Sequence, residues 1–427
     1  MSKFTAIVLA AGKGERMNSA QPKVLQDLLG KSLIFYVLRE LLSLKKYIKK
    51  TVVVIGYQAK TVEKEVKSYF PKNSNIEFVR QPKLNGTAKA VEAALKRAKQ
   101  DNLLVVCGDA PLITAASLGK LISFYLSQER PGAFLTAVVK RENSLGTVLY
   151  DPQGNPKKII EKIEIGSAAS IFQEINSGIY CFQRKALLKN LPEIKPNPRK
   201  KEYFLTDLID LFYQQGEPLS SYRLADSYEI EGINSQEDLV LARKVMRQRI
   251  VNGFIQHQVR IIDAETVFIE QGVSIGKNTT IYPFTFIEKG VIIGRNCSLG
   301  PFLHLRQGTR IGDDTEVGNF LEINRCRVGN KVKIKHFGYL GDTVVEDKVN
   351  IGAGTVVANF DGKKKWKTKI SQGSFIGSDT ILVAPVKVGK NSRTGAGSVV
   401  TKDVKANTVV LGVPARLLKK TKDSRKR

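Results

Sequence analysis

Between Ile269 and Ile323 an aliphatic residue returns at every sixth position, through Ile275, Ile281, Ile287, Ile293, Leu299, Leu305, Ile311 and Val317. A helix brings a residue back to the same face about every 3.6 positions and a strand every two, so a beat of six belongs to neither. It fits a prism wound from short strands. Each hexapeptide would supply one face and one turn, and three would close a coil of roughly 18 residues with the sixth-position side chain pointing inward. Successive coils would then stack about 4.8 Å apart, the spacing of hydrogen-bonded strands. After a one-residue slip the beat resumes at Val328, Ile334 and Leu340, then at Val345, Ile351 and Val357, and finally at Ile370, Ile376, Leu382 and Val388.

The amino-terminal half has a different pattern. Continuous apolar or β-branched runs at residues 4–9, 51–56, 76–79 and 103–107 alternate with helical stretches, which predicts an α/β domain with a mostly parallel sheet. The first run ends in the glycine-rich turn Ala10-Ala11-Gly12-Lys13-Gly14-Glu15-Arg16-Met17. Such a turn lets backbone N–H groups approach phosphate oxygens, and Arg16 and Lys23 add charge suited to a triphosphate. It lacks the Gly-Lys-Ser/Thr of a P-loop and the spacing of the dinucleotide fingerprint. The run at 103–107 ends in Cys107-Gly108-Asp109, placing a carboxylate at the carboxyl end of a central strand, where open α/β sheets bind ligands. An aspartate there either caps the next helix or holds Mg²⁺. Between the halves, Ser235 with Asp238 resembles a capping box, and Leu239, Met246, Ile250 and Phe254 recur near helical spacing. The basic residues Arg243, Lys244, Arg247 and Arg249 on this helix read as a solvated face.

These motifs, in this order, resemble those of the sugar nucleotidyltransferases: the glycine-rich turn with Pro22-Lys23, Gln81 with Gly86-Thr87, Cys107-Gly108-Asp109, Glu174-Ile175-Asn176-Ser177-Gly178 and Glu231-Gly232-Ile233-Asn234. Followed by hexapeptide repeats with Lys335-His336-Phe337-Gly338-Tyr339, the chain resembles the bacterial family of bifunctional N-acetylglucosamine-1-phosphate uridyltransferases / glucosamine-1-phosphate acetyltransferases along nearly its whole length. The resemblance implies a Rossmann-like nucleotidyltransferase domain (residues 1–234), a linker helix (235–257) and a left-handed parallel β-helix with a basic tail (258–427). It implies UTP or UDP-sugar binding by Leu9, Ala10, Ala11, Gly12, Lys23, Gln81, Gly86, Thr87, Cys107, Gly108, Asp109, Gly146, Glu161, Asn176 and Asn234. Arg16 and Lys23 would serve phosphoryl transfer, and Asp109 and Asn234 would carry Mg²⁺. In the prism, His336 would be the general base and Glu322 its orienting acid, with Arg306, Tyr339 and Asn350 on the sugar phosphate. Ala353, Asn359, Phe360, Ser378 and Ala396 would line the acetyl-CoA groove. A homotrimer with the acetyl site between subunits is also implied.

The sequence departs from the family at several of these places. Thr147 stands for an arginine, Ala88 for a glycine, Asn324 for a lysine at the phosphate, Phe360 for a tyrosine, and Gly412 or Val413 for an arginine near CoA. Two enzymatic alternatives follow: a uridylyltransferase whose prism is only a trimerisation scaffold, and a pyrophosphorylase for another sugar or nucleotide.

Length and composition agree with a two-domain enzyme. At 427 residues the chain has ample core, and its four cysteines show no metal spacing, which suits a reducing cytoplasm. No apolar run approaches a membrane span, and the run after Met1-Ser2-Lys3 is too short for a secretory leader. A net charge of +28 makes a nucleic-acid binder the rival. The basic residues are nevertheless dispersed without aromatic interleaving, and only Lys419, Lys420, Lys422, Arg425, Lys426 and Arg427 cluster, so no specific nucleic-acid partner is expected.

Overall fold

The computed structural model describes residues 3–17, 19–71, 75–139, 145–160 and 173–420. The chain divides into two compact units, Met1–Val245 and Met246–Arg427. The division falls inside the helix Gln236–Gln256.

In the first unit the four apolar runs are the strands Phe4–Ala10, Ile48–Ile55, Ile76–Arg80 and Asn102–Cys107. They pair in parallel, in the spatial order Asn102–Cys107, Phe4–Ala10, Ile48–Ile55, Ile76–Arg80. Parallel neighbours require crossovers, supplied here by helices such as Leu33–Ser43, Ala59–Tyr69 and Thr87–Leu95. With helices on both faces, consecutive residues Val52, Val53 and Val54 are all fully buried, which is why these strands read as unbroken apolar runs. Beyond Asn102–Cys107 the sheet continues through Gln173–Gln183, antiparallel to both neighbours, then Gly132–Val139 and Ser220–Leu224. Leu9 lies opposite Cys107, so the glycine-rich turn and the Asp109 turn leave the sheet side by side.

The second unit is a three-sided parallel coil whose sheets contain ten, eight and seven strands. Its inner column is the predicted one. Every aliphatic of the beat from Ile269 to Val388 is buried in one core cluster, except Ile275, which packs against it partly exposed. Paired residues in successive coils are 18 apart early in the prism and 17 apart across each slip. The stacked rings of Phe284, Phe302 and Phe320, with centroids 4.8 Å apart, match the expected coil spacing.

The helix Gln236–Gln256 carries its capping box: Asp238 N–H donates to Ser235 Oγ (3.2 Å), and Asp238 Oδ2 accepts from the N–H groups of Asn234 and Ser235. Its basic residues are not simply solvated. Arg243 donates to the Asp27 carbonyl (3.1 Å), and Arg247 lies over the Phe268 ring, 4.8 Å from its centroid. A period-based reading could not see these contacts because both partners lie in other elements.

Two glycine substitutions should separate steric need from helix propensity. A Cβ at Gly318 would overlap the Lys335 backbone of the next coil, so Gly318→Ala is expected to lose about 1–3 kcal/mol. Gly253, within the helix, has open space around its Cβ position, so Gly253→Ala should gain about 0.5–1 kcal/mol. Thermal unfolding followed by circular dichroism should shift in opposite directions for the two variants.

Candidate active sites

In the first unit a cleft of about 680 Å³ opens at the carboxyl ends of the parallel strands. Its floor is the end of the first strand and the glycine-rich turn, Leu9 to Gly14, together with Cys107 and Asp109. Gln81, Gly86 and Thr87 form one wall, and Arg16, Lys23 and Asn234 another. A smaller cleft of about 270 Å³ shares Leu9, Arg16, Thr87, Cys107, Asp109 and Asn234 with it and extends to Gly146 and Asn176. Gly108 sits behind the floor, its N–H bonded to the Leu9 carbonyl (2.9 Å). The sequence-predicted nucleotide and sugar residues thus converge, apart from Glu161, which lies outside the described residues.

Local bonding explains the placement. The Asn176 N–H bonds the Gly146 carbonyl (2.9 Å), and the buried Asn176 amide donates to Tyr180 Oη (2.7 Å), which fixes that side chain. Gln81 Nε2 donates to the Gly86 carbonyl (3.1 Å). Gly86 has φ +115°, and a Cβ there would overlap the Tyr203 backbone, so only glycine suits this turn. That contact draws residues 200–206 across the cleft, where Lys200, Glu202 and Phe204 join its lining. Sequence reasoning missed these three because the segment has no period. Its only signal was a glycine in need of a close neighbour.

Lys23 is the electrostatic centre. Its ammonium pairs with Asp109 Oδ2 and also donates to Asn234 Oδ1 (3.0 Å), so oxygens from two distant segments converge on one cation. Lys23 is held there by close packing against Gly14, a left-handed glycine with φ +76°. Cys107 is different: burial, reinforced by the charge of Asp109, pushes its thiol up to about 12. It stays protonated and donates to the Gly178 carbonyl (3.6 Å), which suits packing rather than nucleophilic attack.

On the prism, strand register places the candidate acetyl-transfer residues in separate groups. Lys333 pairs with Asn350 and Asn350 with Phe375, which pairs with Arg393, so His336, Ala353, Ser378 and Ala396 stand in register on one corner in successive coils. Backbone bonds Gly354 N–H to Phe337 O (2.8 Å), Asp379 N–H to Ala353 O (2.6 Å) and Gly397 N–H to Ser378 O (2.8 Å) tie that column. Arg306, Glu322 and Tyr339 lie on the adjoining eight-stranded face, where Glu322 is directly opposite Tyr339. Arg306 donates to Glu322 Oε1 (3.0 Å) and approaches Glu288 (3.6 Å), which also contacts His304 Nε2 (3.0 Å). Asn359 and Phe360 sit at the far edge of that face, after the strand Thr355–Ala358, and Asn350 belongs to the ten-stranded sheet. Phe360 is 59% exposed at the base of a hairpin in which Trp366 Nε1 donates to Asp361 Oδ2 (2.6 Å).

The comparisons decide the family. Residues 6–224 match the MobA-like NTP transferase domain, 267–307 the bacterial transferase hexapeptide model, and 367–402 the hexapeptide repeat of succinyl-transferase. The chain is 38% identical to the bifunctional protein GlmU of Lactococcus lactis subsp. cremoris strain SK11, over 96% of both chains. It is 36% identical to GlmU of Thermodesulfovibrio yellowstonii over 95% of each, and 35% identical to that of Carboxydothermus hydrogenoformans over 93% of this chain and 95% of that one. The chain belongs to the GlmU family. Membership joins the nucleotidyltransferase cleft and the hexapeptide prism as two parts of one bifunctional transferase, and no helix among the described residues is long and apolar enough to cross a membrane.

The environment of Cys107 yields a direct test. At pH 8 its alkylation by iodoacetamide in the native protein should be at least ~100-fold slower than that of a free thiol, since so little thiolate forms. Mass spectrometry of labelled peptides checks this.

Proposed function

We propose that this GlmU-family chain makes UDP-N-acetylglucosamine in two steps. The prism transfers an acetyl group from acetyl-CoA to glucosamine 1-phosphate. The amino-terminal unit then transfers uridylyl from UTP to the N-acetylglucosamine 1-phosphate, releasing pyrophosphate. The observation that carries the reading is the convergence of Lys23, Asp109 and Asn234 within a nucleotide-sized cleft, in a chain whose second unit is a transferase hexapeptide prism.

In the first reaction site the attacking phosphate oxygen is already an anion, so no base is needed. Alignment and charge neutralisation dominate. Gly12 leaves open space for a phosphate, and Arg16 and Lys23 supply cations beside it. Asp109 and Asn234 offer oxygen donors that already share a cation, which fits the oxygen preference of Mg²⁺. When bound, Mg²⁺ would neutralise phosphate charge as pyrophosphate departs. Lys23, on a flexible stem, is then free to turn from Asp109 to the phosphates. Gly146 and Asn176 are placed for the sugar, and Gln81, Gly86 and Thr87 for the base.

In the prism, His336 takes the proton from the acceptor amine as it attacks the thioester carbonyl and the CoA thiolate leaves. Arg306 and Tyr339 hold the sugar phosphate; Glu322, expected from the sequence to orient His336, instead hydrogen-bonds Arg306. Asn350 contacts the sugar. The acetyl-CoA set is split between the corner of Ala353, Ser378 and Ala396 and the edge bearing Asn359 and Phe360. A groove enclosing both edges calls for a neighbouring prism, which supports a homotrimer with shared sites. These substrates place the enzyme in the cytoplasm.

A coupled assay with glucosamine 1-phosphate, acetyl-CoA, UTP and Mg²⁺ tests the reading. Wild type should form UDP-N-acetylglucosamine. His336→Ala should cut acetyl transfer by roughly 10²–10⁴ and recover product when N-acetylglucosamine 1-phosphate is supplied. Asp109→Ala should cut uridylyl transfer by about 10² or more while leaving acetyl transfer intact. Product from the pre-acetylated sugar alone would reduce the prism to a scaffold.

A further inference from the structure

The prism's two one-residue slips meet at one corner. The turn after Ile323 contains Asn324-Arg325-Cys326, and the turn after Leu340 contains Gly341-Asp342-Thr343. Ile323 pairs with Leu340 and Asn324 with Gly341, so Arg325 and Asp342 stand in successive coils. Both are left-handed, with φ +54° and +51°, a conformation that side chains other than glycine and asparagine adopt at a cost. In the following coil Asn359 stands in register with them, because Gly338 pairs with Thr355 and Tyr339 with Val356.

Their side chains are fully engaged. Arg325 grips both oxygens of Asp342, Nε to Oδ1 and Nη2 to Oδ2 at 2.7 Å each. Its remaining Nη1 donates to Asn324 Oδ1 (2.8 Å), and Asn359 Nδ2 donates to Asp342 Oδ2 (2.6 Å). The hydrogen bond from Arg325, assisted by that from Asn359, holds the Asp342 carboxyl below its usual range despite partial burial, so the pair stays charged at neutral pH.

A guanidinium can only donate, so the Asn324 carbonyl must face Arg325 and the amide NH₂ must face away from it. Strand alternation opposite the buried Ile323 puts Asn324, only 5% exposed, on the outer face. There it lies between Arg306 of the preceding coil and Gly341 of the next. Gly341 gives room to the ends of two side chains, since a Cβ there would stand 2.6 Å from both Tyr339 Oη and Asn359 Nδ2 and displace them.

We propose that Arg325 is a positioning residue for the acetyl acceptor: clamped by Asp342, it orients Asn324 so that a neutral N–H donor, beside Arg306 and Tyr339, meets the sugar's phosphate. Arg325 does not replace the missing lysine by touching the phosphate itself. This deepens the acetyl-transfer reading above and rests on it. The ion pair is well suited to aiming a side chain. With Arg325 39% exposed, its contribution to stability is small, while its bidentate geometry fixes direction.

Steady-state acetyl transfer, varying glucosamine 1-phosphate and acetyl-CoA separately, tests this on the full-length protein. Arg325→Lys keeps the charge but cannot span Asp342 and Asn324 together. It should raise the acceptor KM about tenfold, the loss of one hydrogen bond to a charged group, with kcat and the acetyl-CoA KM changed less than twofold. Asn324→Asp, equal in size but unable to donate, should raise the acceptor KM by more than that. In an Asn324→Ala background, Arg325→Lys should add nothing. The inference is overturned if Arg325→Lys leaves the acceptor KM unchanged, or if the two effects multiply, which would mean that Arg325 meets the acceptor directly. Uridylyl transfer by the other unit and the melting temperature report whether each variant is folded. Failure of wild type to acetylate at all would instead sink the underlying reading and this inference with it.

Discussion

Parallel backbone pairing between successive coils is the constraint on which the second half of the molecule depends. Each coil must present its strands in register to the coil above and below, and an inner position must hold an aliphatic group or, as at Thr394, a hydroxyl that bonds the backbone, because a polar side chain there would find no water. Ile269, Ile287, Leu305 and Ile323 illustrate it: each pairs directly with the next, and all are fully buried. Under that rule a coil cannot lose a residue from a strand without turning its side chains inside out. A shortened coil must lose it from a turn. Polar chemistry therefore enters the prism at corners and outer faces, and His336, Asn324, Arg325, Asp342 and Asn359 are all found there.

The amino-terminal unit solves a related problem with a different geometry. Parallel strands buried on both faces end together, and the turns that follow carry their side chains into a common cleft. Pairing of Leu9 with Cys107 brings the glycine-rich turn against the Asp109 turn. Ile233 N–H then bonds the Asp109 carbonyl (2.9 Å), which delivers Asn234 from more than a hundred residues away. Lys23 completes the arrangement by pairing with both side chains. Without phosphates the lysine and the carboxylate neutralise one another. A paired lysine and carboxylate tolerate a half-dry cleft better than either charge alone.

Much of this was legible in the residues. The beat of six gave the prism with its inner column, since a buried aliphatic at fixed spacing is a direct trace of coil geometry. Apolar runs at 4–9, 51–56, 76–79 and 103–107 gave the parallel strands because burial on both faces removes any polar alternation. What escaped was contact made by aperiodic segments. Residues 200–206 reach the nucleotide cleft through backbone packing on Gly86, and Arg247 lies over Phe268 from a basic helix face that reads as solvated. The slips before Val328 and Val345 were visible, but not their meaning. A missing residue looks the same in sequence whether its turn is merely tight or closes on a bidentate ion pair.

That distinction bears on whether the prism is a scaffold. Trimerisation or stacking needs only the inner aliphatics and turns of standard length. A shortened corner with a partly exposed ion pair and a buried amide costs side-chain entropy for little gain in stability. Arrangements of that kind make physical sense where direction matters more than energy. At Asn324 the direction is set by chemistry alone: the guanidinium beside it takes the carbonyl and leaves an N–H donor on the outer face, between Arg306 of one neighbouring coil and Gly341 of the other. A neutral donor held in fixed orientation binds a phosphate less strongly than a lysine, yet releases an anionic product more readily. On the acetyl-transfer reading proposed above, Asn324 in place of a cation would alter the affinity of the acceptor site while keeping its geometry, an arrangement for which a scaffold would have no use.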